Sequence, residues 1–324
     1  MSRSSLPYKK PISIHAAVAH LAAVLALAAL LGAVYLIGIR PSQLRWGATK
    51  EEVERPMAED GLVPNPAFDA TRAITIHGRP EDIWPWLAQM GYQRAGFYGY
   101  DPIENVGSGG GIRSAESILP AFQHPHTGDL LPISAVATLT FGAIDTNRFL
   151  VWLGREDPPD GVFIWALVPV DASHTRLISR IRWRYQKSAM GRAMGLFTEF
   201  GDHVAVRAIL CGIRDRVEGR APEPFAMEVA EIVAWLLAMG ELGVCTVLVF
   251  IRRQWGQAWM LALGAGLLLQ FVLYAGAPHL VDAVLPWFYL AIMAWCWRHP
   301  RPSLVARTTY PPASNTPQNA PRSC

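Results

Sequence analysis

Charge and cysteine are both scarce in this chain. Only 17% of its 324 residues are charged, and the net charge is +3. That excludes the basic surface of a nucleic-acid binder. No stretch interleaves Lys or Arg with aromatics as a single-strand groove does. The four cysteines, Cys211, Cys245, Cys296 and Cys324, form no CxxC pair. Zinc ribbons and thioredoxin-like motifs are therefore unsupported, and no disulfide framework is expected. The glycine run at 107–111 is neither a phosphate cradle nor set in strand–turn–helix context. No GxSxG elbow or Ser-His-Asp order is present. His124 and His126 lack a carboxylate or cysteine at ligand spacing, so neither a metal nor another cofactor is expected.

Apolar length is present at both ends. Residues 15–39 contain no Asp, Glu, Lys or Arg. A helix needs about 20 apolar residues to cross a bilayer core. The run exceeds the roughly 7–15 residues of a signal-peptide core, which favours a retained anchor over a cleaved leader. A second apolar zone is divided by Arg252–Arg253 and by residues 276–279 into spans at 227–251, 257–275 and 280–297. These segments lack the polar face of a soluble bundle helix. Their tryptophans sit mostly near the segment ends, as interface anchors do.

Basic residues flank the spans unequally. Arg3, Lys9 and Lys10 precede the first, Arg252 and Arg253 follow the second, and Arg298, Arg301 and Arg307 follow the fourth. All three clusters fall on one side of a four-span chain. The positive-inside rule then makes residues 1–14 and 298–324 cytoplasmic and the soluble domain external. Arg40, Arg45, Lys50, Arg214, Arg216 and Arg220 oppose that orientation. The tail at 308–324 has the composition of a disordered segment. Glu241 falls mid-span, where a charge costs about 2.5–3.5 kcal/mol and must face other helices or be protonated.

Between the apolar ends, residues 40–70 form a proline-punctuated linker. The domain at 71–220 opens with an alternating strand at 72–77 and a helix at 81–90, with Pro80 suited to its first turn. Strands follow at 137–144, 148–154, 162–170 and 175–185. A helix spans 190–218 with an apolar stripe through Leu196, Phe200, Val204, Ala208 and Cys211. This order predicts an α+β domain whose antiparallel sheet wraps a long C-terminal helix, leaving a cavity between them.

Residues 71–89, TRAITIHGRPEDIWPWLAQ, resemble the opening strand and helix of the SRPBCC superfamily, the START-like or polyketide-cyclase-like helix-grip fold. GFYGYDPIEN at 96–105, Ser114-Ala115 and Gly128-Asp129 extend the likeness to a bacterial membrane-anchored subgroup without defined activity. The resemblance implies a pocket for a lipid-like or aromatic, polyketide-like molecule. Fold alone does not choose between carrier, cyclase and receptor.

Candidate ligand-contacting residues are Trp84, Tyr98, Tyr100, Asp101, Glu104, Asn105, Trp152, Trp165, Trp183 and His203. Tyr98 and Tyr100 offer hydroxyls above an apolar pocket. Asp101 or Glu104, desolvated there, would suit acid–base chemistry. The plainer alternative is a structured loop in which Asp101 caps the turn before Pro102. His203 is either a pocket wall group or an ordinary helix histidine. Arg180, Arg182 and Arg184 share one strand face, expected to be solvated, and Ile181, Trp183 and Tyr185 share the opposite face, expected to line the cavity. The favoured function is a membrane-anchored binding protein for a hydrophobic small molecule. The alternatives are a cyclase- or hydrolase-type enzyme using the loop Tyr and Asp residues, and an assembly module with a filled cavity.

Overall fold

The computed structural model describes residues 13–109, 111–185, 188–252, 255–275 and 279–298. The expected disordered tail and the basic residues Arg3, Lys9, Lys10, Arg253, Arg301 and Arg307 lie outside them.

Helix α1 (Ile14–Ala33) continues through a wider π-type segment, Val34–Ile39, into α2 (Arg40–Gln43). Thr49 caps the short α3 (Lys50–Glu54), accepting from the Glu52 N–H while Glu52 accepts from the Thr49 N–H. Strand β1 (Phe68–His77) and helix α4 (Pro80–Gln89) follow. After the single turn α5 (Asp101–Glu104) come β2 (Leu130–Pro132), β3 (Thr138–Asp145), β4 (Phe149–Leu153), β5 (Gly161–Pro169) and β6 (His174–Trp183). The long helix α6 (Ala189–Val217) leads to α7 (Phe225–Ile251), α8 (Gly256–Ala275) and α9 (His279–Arg298).

The six strands form one antiparallel sheet in the order β1-β6-β5-β4-β3-β2. The first and last long strands thus meet, and α6 lies across the concave face. This is the helix-grip architecture. β1 begins four residues earlier than its alternation suggests, because Phe68 pairs with Trp183 at the far end of β6. The inner face sends Leu177 into the main core beside Ile76, Leu87, Leu150 and Trp165, with Val206, Ile209 and Ile213 from α6.

The outer face of β6 departs from expectation. Arg180 is buried under the 52–60 segment rather than solvated. Its guanidinium donates to the carbonyls of Glu52, Val53 and Arg55 and to Asp60 and Thr71, at 2.7–2.9 Å. Arg176 pairs with Glu52 at 2.8 Å and Arg182 donates to the Asp60 carbonyl at 2.6 Å. Val63 then caps a second small core with Val151, Val162 and Ile164. The arginine row staples the lead-in segment across the sheet.

Four helices are long and apolar enough to cross a membrane: Ile14–Gln43, Phe225–Ile251, Gly256–Tyr274 and Leu280–Arg298. A 20-residue helix rises about 30 Å, the thickness of a bilayer core. They pack as one bundle. The Trp259 indole donates to the Ala23 carbonyl at 2.8 Å and Gln270 to the Leu31 carbonyl at 3.1 Å. Gln257 donates to the Cys296 carbonyl at 2.6 Å. The start of α8 and the end of α9 therefore lie on the side away from the soluble domain. Glu241 is buried in this bundle, and neither of its carboxylate oxygens has a hydrogen-bond partner among the described residues.

Candidate functional site

A cavity of about 770 Å³ separates the ends of β1, β5 and β6 from the first half of α6. Its volume falls in the range of small-molecule pockets, roughly 300–1,000 Å³. Phe68, Ile133, Phe163, Ile181, Trp183, Tyr185, Met190 and Met194 supply apolar walls. Thr198, Asp202, Arg184, Glu156 and Asp160 supply the polar groups. The aromatic walls are stacked in sequence: Phe68 on Tyr185 at 6.3 Å and Phe163 against Trp183 at 6.0 Å. Gly161 sits opposite Trp183 in the β5–β6 register, and a methyl group there would overlap the Trp183 ring. Glycine at 161 is what lets that indole lie flat against the sheet.

Asp202 anchors the floor. Its carboxylate takes Nη1 of the buried Arg72 at 2.6 Å, and Arg72 Nε donates to the Gln43 carbonyl at 2.9 Å. Burial pushes the Asp202 carboxyl above its ordinary range, against the pull of Arg72. One turn away, Glu199 takes Arg40 in a bidentate pair at 2.6 and 3.0 Å and the Tyr185 hydroxyl at 3.2 Å. These contacts tie the helix-grip core to the end of the first span.

Of the ten candidate ligand contacts only Trp183 lines this cavity, joined by Ile181 and Tyr185 at the same period-2 positions, as the strand's alternation implies. Trp84, Trp152 and Trp165 are buried in the filled main core, with the Trp152 and Trp165 rings 5.4 Å apart. They pack behind the cavity wall, since the ring of Trp152 also meets Phe163 at 6.2 Å. The indole N–H groups of Trp152 and Trp165 have no partner among the described residues.

The GFYGYDPIEN segment lies elsewhere, at the junction with the membrane helices. There it borders a smaller cavity of about 180 Å³ with Arg113, Arg207, Arg216 and Glu228. Asp101 is only 2% exposed. It accepts from the Ser114 N–H at 3.0 Å, the Ser114 hydroxyl at 2.5 Å and Asn105 Nδ2 at 3.0 Å, with Arg113 Nε at 3.5 Å. Ser114 also accepts from the Tyr98 N–H at 3.0 Å. Asp101 and Asn105 thus buckle a loop closed.

Tyr98 donates to the Trp86 carbonyl at 3.1 Å and lies under Arg216 at 4.6 Å. Its backbone has φ +66° and its carbonyl abuts Gly212 of α6, where any Cβ would collide with it. Tyr100 donates to Glu231 Oε2 on α7 at 3.0 Å, with its ring 4.8 Å from Trp235. Burial raises both phenols above their ordinary range. Glu104 accepts from the Gly99 N–H at 3.2 Å. Desolvation, with Asp101 and Glu228 nearby, pushes its carboxyl up to about 8. The loop's polar atoms are thus engaged mostly within the domain, and the Tyr100 hydroxyl ties it to α7.

His203 faces the membrane helices too. It is fully buried and stacks on Tyr274 at 5.6 Å, while Arg207 donates to the Tyr274 carbonyl at 2.7 Å. Burial, with Arg72 and Arg207 adding repulsion, pushes the imidazole down to about 3. The sign follows: a folded pKa below the unfolded value of about 6.5 means stability is lost as pH falls from that value toward 3. His203→Phe is expected to flatten part of the acid decline in melting temperature between pH 6.5 and 4. Parallel thermal melts of parent and variant in detergent check this; superimposable pH profiles would contradict it.

Sequence reasoning missed Phe68, Met190, Met194 and the Arg72–Asp202 pair. Met190, Met194 and Phe197 did carry a signal, an i, i+4, i+7 face. The pair is separated by 130 residues, and no local pattern joins its members.

No protein-family profile and no curated protein matches the chain. Among solved structures, a protein from Mesorhizobium loti aligns at 18% identity over 47% of this chain and 98% of its own, TM-score 0.28. A polyketide-cyclase-like protein from Corynebacterium glutamicum aligns at 10% over 46% and 91%, TM-score 0.30. A protein from Bordetella parapertussis aligns at 17% over 55% and 85%, TM-score 0.29. The chain's own strand order and α6 define its fold: a six-stranded antiparallel sheet gripping a long helix, joined to four helices long and apolar enough to cross a membrane.

Proposed function

We propose that the protein binds a hydrophobic, lipid-like or aromatic small molecule in the cavity between β1, β5, β6 and α6, anchored in the bacterial cell membrane with that domain outside. The observation that carries this reading is the 770 Å³ space with predominantly aromatic and aliphatic walls and one buried ion pair at its floor. Such a site orients a mostly apolar ligand through few polar groups. An acid–base enzyme needs its groups in mutual reach within the pocket. Here Tyr98, Tyr100 and Asp101 border the separate junction cavity, which favours binding over turnover. The packing of α1 against α7 and α8 supports a retained first span.

The test is titration of detergent-solubilised protein with the fluorescent apolar probe N-phenyl-1-naphthylamine. Ile181→Trp, which fills the cavity, is expected to weaken probe binding roughly tenfold or more, a loss of about 1.4 kcal/mol. Trp84→Phe, in the filled core, is expected to leave it unchanged. Equal binding by parent and Ile181→Trp would sink the assignment.

A further inference from the structure

We propose that the start of α6 rests in the bilayer surface and opens the cavity directly to membrane lipid, so that the ligand enters sideways from the bilayer. This rests on the cavity reading above and names the ligand's source.

Met190, Met194 and Phe197 are 72%, 54% and 73% exposed. Their i, i+4, i+7 spacing puts them on one face of α6. That face turns neither to the sheet nor to the bundle. The sheet side of α6 holds Gly195, Asp202, Val206 and Ile209, while the bundle side holds Phe200, His203 and Arg207. A contiguous exposed patch of large apolar residues marks an interaction surface.

The neighbours identify the occupant. The Tyr35 ring near the end of the first span meets Phe200 edge-on at 5.5 Å, and Arg40 grips Glu199. Leu36 and Ile37 of that span are 46% and 78% exposed. The lipid-facing surface of the span therefore continues onto the first half of α6. Arg40 marks where that apolar span ends, the level of the headgroups. A helix crossing there, with an apolar face and polar flanks, lies in the interface plane.

The same helix face forms the rim of the cavity. Met190 and Met194 belong both to the exposed patch and to the cavity lining. Methionine is unbranched and adaptable, which suits a rim that acyl chains must slide past. No aqueous step is then required for an insoluble ligand.

The experiment uses the full chain in vesicles of phosphatidylethanolamine and phosphatidylglycerol. A photoreactive p-benzoylphenylalanine replaces Phe197, or in a second variant Met190. Two reference positions are Val247, exposed on α7, and Arg148, exposed on the β3–β4 turn. After irradiation, mass spectrometry counts lipid adducts. The expected yield at 197 and 190 is close to that at 247 and roughly tenfold above that at 148. Yields at both positions as low as at 148 would overturn the proposal, while leaving cavity binding to be judged by the probe titration. Ile181→Trp added to the 197 variant separates the two: adducts persist if the bilayer covers this face, and vanish if the signal comes from lipid inside the cavity.

Discussion

Arg72→Met is expected to lower the melting temperature of the protein in detergent by roughly 6–20 °C. The figure follows from about 3–5 kcal/mol for breaking a buried ion pair, at about 2–4 °C per kcal/mol for a domain of this size. Arg72 is almost wholly buried and holds Asp202 at 2.6 Å. Removing it leaves a buried carboxylate without its cation, which costs more than the pair itself contributes. The Asp202 carboxyl already lies above its ordinary range, because burial outweighs Arg72. Without Arg72 it moves further up. A carboxyl with a raised folded pKa stabilises below its unfolded value and loses that stability as pH rises through the folded one. The deficit of Arg72→Met is therefore smallest in acid and largest at neutral pH. Arg72→Met combined with Asp202→Leu removes both charges and is expected to recover most of the loss. A neutral-pH drop of less than about 1 kcal/mol, the scale of an exposed pair, would show that the pair is solvent-screened.

Arg180→Ala is expected to release the lead-in segment rather than unfold the domain. Arg180 satisfies three backbone carbonyls and Asp60 at once, while Arg176 and Arg182 keep their own ties to the same segment. The loss is therefore placed at the low end for a buried charge network, about 3 kcal/mol. Local opening becomes roughly a hundredfold more frequent, at 1.4 kcal/mol per tenfold. Limited digestion with a glutamate-specific protease reads this as faster cleavage after Glu54, which is exposed and followed by Arg55, with the sheet intact. Unchanged cleavage at Glu54 would mean the segment is held by Val63 and the small outer core instead.

The elements were largely legible in the sequence, and the site only along one strand face. Alternation in 175–185 and the helical stripe from 190 onward carry strong local periods, so β6 and α6 are readable one segment at a time. The three-residue β2 and single-turn α5 are too short to show a period. The aromatic residues of GFYGYDPIEN suggested a pocket mouth because they are large, polar-tipped and close together. What fixes Tyr100 is Glu231 and Trp235, more than 120 residues away on α7. The cavity walls are legible only in part: period 2 puts Ile181, Trp183 and Tyr185 on one face of the 175–185 segment, but no local pattern joins them to Phe68 and Met194. The arginine row shows the same limit. Period 2 placed Arg180 and Arg182 on one face, but the 52–60 segment that covers it is invisible to periodicity.

An apolar ligand held in the cavity beside α6 should survive gentle extraction. Native mass spectrometry of the protein in mild detergent is expected to show a parent population carrying one co-purified lipid-like mass, and a near-complete loss of that mass in Ile181→Trp. Trp84→Phe, in the filled core, should keep it. The same bound mass in parent and Ile181→Trp, or none in the parent with the fold intact, would show that this cavity is not a ligand site.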